Sequence, residues 1–126
     1  FVTGGAMARD VVRLVSLFYT AGAEQAVDWR PATDVYRVPE GWLVKFELAG
    51  VRPEDVELTA RGAALRVRGR RRDLCLEPGC RQLHMEIAYS RFERQVELPG
   101  DLQKAKIDTE FRDGMLLVRI QREADA

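Results

Sequence analysis

The chain of 126 residues is 46% hydrophobic and 32% charged, the balance of a soluble globular protein with room for one domain and a real core. Basic and acidic residues are equal at 20 each, so the overall charge favours neither nucleic acid nor an anionic membrane surface. No apolar run approaches the length needed to cross a bilayer.

The opening Phe1-Val2-Thr3-Gly4-Gly5-Ala6 before Met7 reads as an expression remnant, with Met7 as the native start. Arg9, Asp10 and Arg13 interrupt the apolar residues that follow, and no clear signal-peptide cleavage pattern appears, so a cytoplasmic protein is expected. Between about Ala8 and Ala26, the residues Val11, Leu14, Val15 and Phe18 recur at i, i+3, i+4 and i+7. That spacing predicts a short amphipathic helix, with Gly22 as its stop. Asp28-Trp29-Arg30-Pro31 ends any helix, because a residue before proline is pushed out of the α region. Residues 1–30 are therefore read as an N-terminal arm.

From Thr33 onward the period changes to two. Trp42, Val44, Phe46 and Leu48 alternate with Leu43, Lys45, Glu47 and Ala49. The same rule holds for Val56, Leu58 and Ala60, for Leu65 and Val67, and for Leu83, Met85 and Ile87. It continues through Phe92, Val96 and Leu98, through Ile107 and Phe111, and through Leu116, Val118 and Ile120. One buried face and one wet face is the pattern of antiparallel strands in a sandwich. Between the runs stand turn formers: Pro39-Glu40-Gly41, Arg52-Pro53-Glu54-Asp55, Arg61-Gly62, Pro78-Gly79, Pro99-Gly100-Asp101 and Asp113-Gly114. Short strands at this spacing predict an all-β fold, an antiparallel immunoglobulin-like β-sandwich over residues 31–121, followed by a short tail at 122–126. Arg66, Arg68, Arg70, Arg71 and Arg72 cluster within it. They are read as a solvated strand face running into a charged loop, in preference to a nucleic-acid patch.

The segments Asp34-Val35-Tyr36, Gly41 to Val51 and Pro53-Glu54-Asp55-Val56 resemble the opening of an α-crystallin domain, the hallmark of the small heat-shock proteins. Ala64-Leu65-Arg66-Val67-Arg68-Gly69-Arg70-Arg71 is similar to that family's strand ending in G-x-R. Tyr89 to Pro99 resembles its F-x-R-x-x-x-L-P segment, and Phe111 to Val118 its G-x-L close. Taken together, in order and correctly spaced, these pieces point to the bacterial and plant subtype. The departures are small: Ala49 stands where the family usually has Pro, and Thr109 where it usually has Ala. The family's C-terminal I-x-I or I-x-V motif is not present before Ala126, so dimers or small assemblies are expected in place of large tail-docked cages.

The resemblance implies an ATP-independent holdase: a molecular chaperone that binds unfolding client proteins without cofactor, metal, nucleic acid or membrane. It also implies a long loop from about Arg70 to Tyr89. In that loop Gln82, Leu83, His84, Met85, Glu86 and Ile87 would form a strand exchanged reciprocally in a homodimer; the alternative is a strand paired within its own chain. Client contact is assigned to two places. One is the arm, through Val11, Leu14, Val15, Leu17, Phe18 and Tyr19; the alternative is that the arm packs on its own sandwich or on another arm. The other is a groove along the sandwich edge, open for clients or for partners' tails, through Val56, Leu58 and Leu116. Charged replacements at Val56 and Leu116 are then expected to weaken client protection more than folding. The competing functions are a p23-like co-chaperone, which normally lacks such a loop, and a structural β-sandwich interaction module.

No catalytic motif appears, so an enzyme is not expected. Cys75, Cys80 and His84 have a C-x4-C-x3-H spacing, looser than zinc sites normally use and one ligand short. Cys75 and Cys80 flank a plausible turn, which makes them a candidate disulfide, although reduced thiols without a role are the expectation in a cytosol. Arg94 falls in register with inward-facing Phe92 and Val96, and an arginine there needs carboxylate or carbonyl partners, at a sheet edge or a dimer contact.

Overall fold

Most of the strands are joined by turns that their residues dictate. Asp113 (φ 53°) and Gly114 (φ 78°) both adopt left-handed backbone and close the pair Arg112↔Met115, the two-residue turn that an Asp-Gly sequence favours. Gly62 (φ 59°) serves the hairpin closed by Arg61↔Ala64. The computed structural model describes residues 13–14, 29–73 and 77–122. Among the described residues there are eight strands: β1 (Arg13–Leu14), β2 (Thr33–Val38), β3 (Gly41–Glu47), β4 (Val56–Arg61), β5 (Ala64–Arg70), β6 (Arg91–Glu97), β7 (Lys106–Arg112) and β8 (Met115–Gln121). A 3-10 turn, Pro53–Asp55, precedes β4.

The strands form two sheets, ordered β1-β4-β5-β6 and β2-β3-β8-β7. All pairings are antiparallel except β1 with β4. The inward faces are those that the alternation marks. Trp42, Val44, Phe46 and Leu48 lie in one core with Val56, Leu58, Leu65, Val67, Phe92, Ile107, Leu116, Val118 and Ile120. Both sheets contribute to that core, so the architecture is the expected all-β sandwich. Among the described residues no helix is long and apolar enough to cross a membrane.

One local expectation changes. Of the helix expected between Ala8 and Ala26, only Arg13 and Leu14 are described, and they are extended, pairing as Arg13↔Glu57 and Leu14↔Leu58. The physical reason is competition: an isolated helix this short is marginal in water, whereas the edge of β4 offers unpaired backbone groups. Val11, Val15, Leu17, Phe18 and Tyr19 lie outside the described residues, and so does Cys75. Gln82 to Ile87 form no strand within this single chain.

Gly69 shows how tightly the turn before β4 sits on β5. A Cβ there would come within 2.0 Å of the Asp55 carbonyl oxygen and 2.8 Å of the Phe92 ring. Because the first contact is with backbone, it has no side chain to swing aside. Gly69→Ala is expected to lower stability by about 1–3 kcal/mol, the usual cost of overpacking. Urea unfolding checks this.

Candidate functional site

The two sheets expose edges of different character. On β2, Val35 is 46% and Tyr36 43% exposed, the largest apolar exposure on any described strand. The β2–β3 ladder fixes which backbone groups remain available. The Ala32 carbonyl accepts from the Glu47 amide at 3.0 Å, so the even-numbered residues of β2 turn their backbone groups to β3. By the alternation of an antiparallel ladder, Thr33, Val35 and Arg37 then point theirs away from the sheet. Tyr36 stands opposite Leu43, and the Lys45 ammonium lies 4.9 Å from its ring centroid. An open edge flanked by apolar side chains is a site that can take another strand.

The opposite edge of the same sheet, β7, is set about with charge. Glu110 accepts from Arg112 Nε at 3.0 Å and from Arg119 Nη1 at 2.8 Å. These hydrogen bonds, Arg112 first, hold the Glu110 carboxyl below the ordinary carboxylate range. A carboxylate whose folded pKa is depressed stabilises the fold above its unfolded value, and that stabilisation is lost as pH falls through the folded value. Glu110→Gln is therefore expected to lower the urea midpoint slightly near pH 7. The difference from the unaltered chain should vanish on acidification below the depressed value. Solvent screening keeps the effect small.

Between β5 and β6 the chain carries the segment that alternation marked as a strand. Leu83 is 94%, Met85 48% and Ile87 59% exposed. These three and the two β2 residues are the large apolar side chains exposed among the described residues. His84 pairs with Glu86, both largely exposed. The segment thus has one apolar row, one polar row and no ladder partner of its own. Cys80 is exposed and unpaired. No group of three or more metal-binding side chains occurs among the described residues.

The loop leaves the sandwich through a narrow neck. The Arg71 amide donates to the Ser90 carbonyl at 3.0 Å. Arg71 Nε donates to the Ala88 carbonyl at 2.8 Å and Nη1 to the Ala49 carbonyl at 3.2 Å. Arg72 pairs with Asp55 at 3.0 Å. Elsewhere in the cluster, Arg68 pairs with Glu57 at 3.1 Å and the buried Arg66 with Glu93 at 3.0 Å. These partners are acidic or carbonyl groups of the domain itself; Arg68, Arg70 and Arg72 lie on the solvated face and at the loop anchor as expected, whereas Arg66 is buried, against that expectation. Arg94, on edge strand β6, donates to the Pro31 carbonyl at 3.1 Å, so its partner is a carbonyl of the arm root.

The groove residues fall differently. Val56 is 1% exposed, and Leu58 and Leu116 are both fully buried. Beside them the outer edge of β4 is occupied at Glu57 and Leu58 by β1 of the same chain. The edge is not open there, and charged replacements at Val56 or Leu116 would act on the core. Sequence reasoning also missed the Arg71 neck, whose signal was the G-x-R ending itself, and the open β2 edge, whose apolar residues fall on both faces.

Residues 34–126 match the family model described as Hsp20/alpha crystallin family. The chain is 26% identical over 94 residues to small heat shock protein C2 of Rickettsia felis, covering 74% of this chain and 60% of that one. It is 32% identical over 94 residues to 18 kDa antigen 1 of Mycobacterium avium, covering 72% and 63%. It therefore spans less than two thirds of the length of these relatives. Among solved structures, it is similar to heat shock protein 16.0 of Schizosaccharomyces pombe, with a TM-score of 0.67 at 22% identity over 79% of this chain and 94% of that one. A similar match, TM-score 0.62 at 25% identity, covers 79% of this chain and all of hspA from Xanthomonas axonopodis.

Proposed function

The chain belongs to the Hsp20/alpha crystallin family, which assigns it a chaperone role in general, and from that premise we propose that it is an ATP-independent holdase for unfolding polypeptides. The observation that carries the reading is where the apolar exposure lies. Val35, Tyr36, Leu83, Met85 and Ile87 are exposed at an open strand edge and on an unpaired loop segment, while the core is closed. Unfolding chains present extended backbone and apolar side chains together, and strand addition recognises both.

The same features support a homodimer. The segment Gln82–Ile87 of each subunit would add to the β2 edge of its partner, covering Val35 and Tyr36 with Leu83, Met85 and Ile87. The exchange is reciprocal, so the assembly closes at two, with larger assemblies built from these pairs. Residues 31–121 are the working domain in this reading, with 1–30 as an arm and 122–126 as a tail. The arm residues Val11, Leu14, Val15, Leu17, Phe18 and Tyr19 are retained as a second client surface, worth several kcal/mol at ~25 cal/mol per Å² of apolar area. A cytoplasmic location, no cofactor and no catalytic step belong to the same proposal.

The test is light scattering of a heat-labile client with and without this protein, in the absence of ATP. Suppression at near-stoichiometric ratios is the expected result. Unchanged scattering at every ratio would overturn general holdase activity and leave a specific co-chaperone or structural module.

A further inference from the structure

The arm root and the loop neck meet at one side chain. Trp29 forms a parallel bridge with Phe92, and its ring stands edge-on to the Phe92 ring at a centroid distance of 5.3 Å. The Trp29 carbonyl also accepts from the Glu93 amide at 3.4 Å. Over the Trp29 ring, 3.8 Å from its centroid, lies the guanidinium of Arg71. The same residue also donates to the Ser90, Ala88 and Ala49 carbonyls at the loop neck.

We propose that Arg71 is a positioning residue that couples the docking of the arm root to the closure of the loop neck. A guanidinium suits this task. It is planar and permanently charged, so it stacks on an indole and directs several N–H groups to carbonyls at once. Lysine cannot do both. The stacking face is set by the Ala88 and Ala49 bonds, and those bonds are in turn steadied by the ring beneath. The Cδ of Arg71 lies 3.5 Å from where a Cβ of Gly50 would sit, so the β3–β4 connection bounds the same side chain. Pulling Trp29 away removes one wall of the site that orients Arg71, and the neck loosens. Opening the neck frees the guanidinium, and Trp29 loses its cover. Coupling of this kind is reciprocal. Its consequence for presenting the loop strand rests on the pairing reading above; the coupling itself lies within one chain.

The experiment uses the full chain and reads each side after disturbing the other. In Trp29→Ala, the amide of Arg71, bonded to the Ser90 carbonyl, is expected to exchange with solvent roughly tenfold faster, the scale of one lost cation–π contact. Trp29→Phe keeps a ring and should restore most of the protection. In Arg71→Lys, the Trp29 indole resonance should move, while that of buried Trp42 stays in place. Arg71→Lys also loses the Ala88 and Ala49 bonds, so the double variant should exchange faster than Trp29→Ala alone but by less than the product of the two single effects, because both changes break the same stacking contact. Unchanged exchange in Trp29→Ala, no rescue by Trp29→Phe, or multiplying effects in the double variant would each overturn the proposal. Native mass spectrometry of the unaltered chain decides the pairing reading separately: a monomer there would refute the dimer and leave the amide-exchange result standing.

Discussion

Replacing Leu83 and Ile87 together with glutamate is expected to yield a folded monomer at concentrations where the unaltered chain pairs. The two side chains are 94% and 59% exposed in the single chain, so their removal takes nothing from its core. If they are covered on pairing, each contributes about 1.5–3 kcal/mol at full burial. Because the exchange is reciprocal, each dimer loses two copies of both, which weakens it by roughly 10⁴-fold or more, before counting the cost of placing carboxylates against Val35 and Tyr36. Sedimentation across a concentration series measures the loss, and thermal unfolding of the resulting monomer should resemble that of an unaltered monomer. A lower melting temperature for the monomer would mean that the segment packs on its own sandwich. An unaltered chain that never pairs would remove the dimer from the reading.

The second large effect is in the core. Leu116 is fully buried on β8, opposite Phe46 on one neighbour and Phe111 on the other. A glutamate there is a carboxylate with no partner in an apolar layer, and an uncompensated buried charge costs about 3–5 kcal/mol or more. Domains of this size are stable by about 5–15 kcal/mol in total. Leu116→Glu is expected to unfold the sandwich at moderate temperature, whereas Leu116→Ala should cost about 2–5 kcal/mol and retain the fold. Urea unfolding of the two variants decides the matter. If Leu116→Glu unfolds normally but no longer protects a client, the groove is a binding surface after all.

Much of this fold is legible in the residues, because a half-buried strand leaves a period of two that nothing else produces at that length. Trp42, Val44 and Phe46 are core for that reason, and Asp113-Gly114 is a turn because two successive left-handed residues suit that pair. Position within a sheet is less legible. Thr33–Val38 carries apolar residues on both faces and stands at an edge, since neighbours are chosen by long-range contacts that a local pattern does not encode. The same limit explains Val56, Leu58 and Leu116, whose apolarity fits a groove and a core equally well until burial is known. Arg13 and Leu14 show the opposite case: a helical period was present, but an available strand edge took the backbone. Arg71 was visible only as part of a motif, because its work depends on Trp29, far from it in sequence.

The neck between Arg71 and Ser90 has a consequence for how this chain can vary. The two ends of the loop are held by the sandwich itself, through Arg71, Arg72 and the Asp55 and Ala49 groups that they bind. What lies beyond the neck is therefore an insertion whose length hardly enters the stability of the host, since doubling a flexible loop costs only ~0.6 kcal/mol. Such a segment can be lengthened, shortened or transplanted as a cassette while the framework stays constant. Divergence among sequences that share this framework is thus cheapest in this loop.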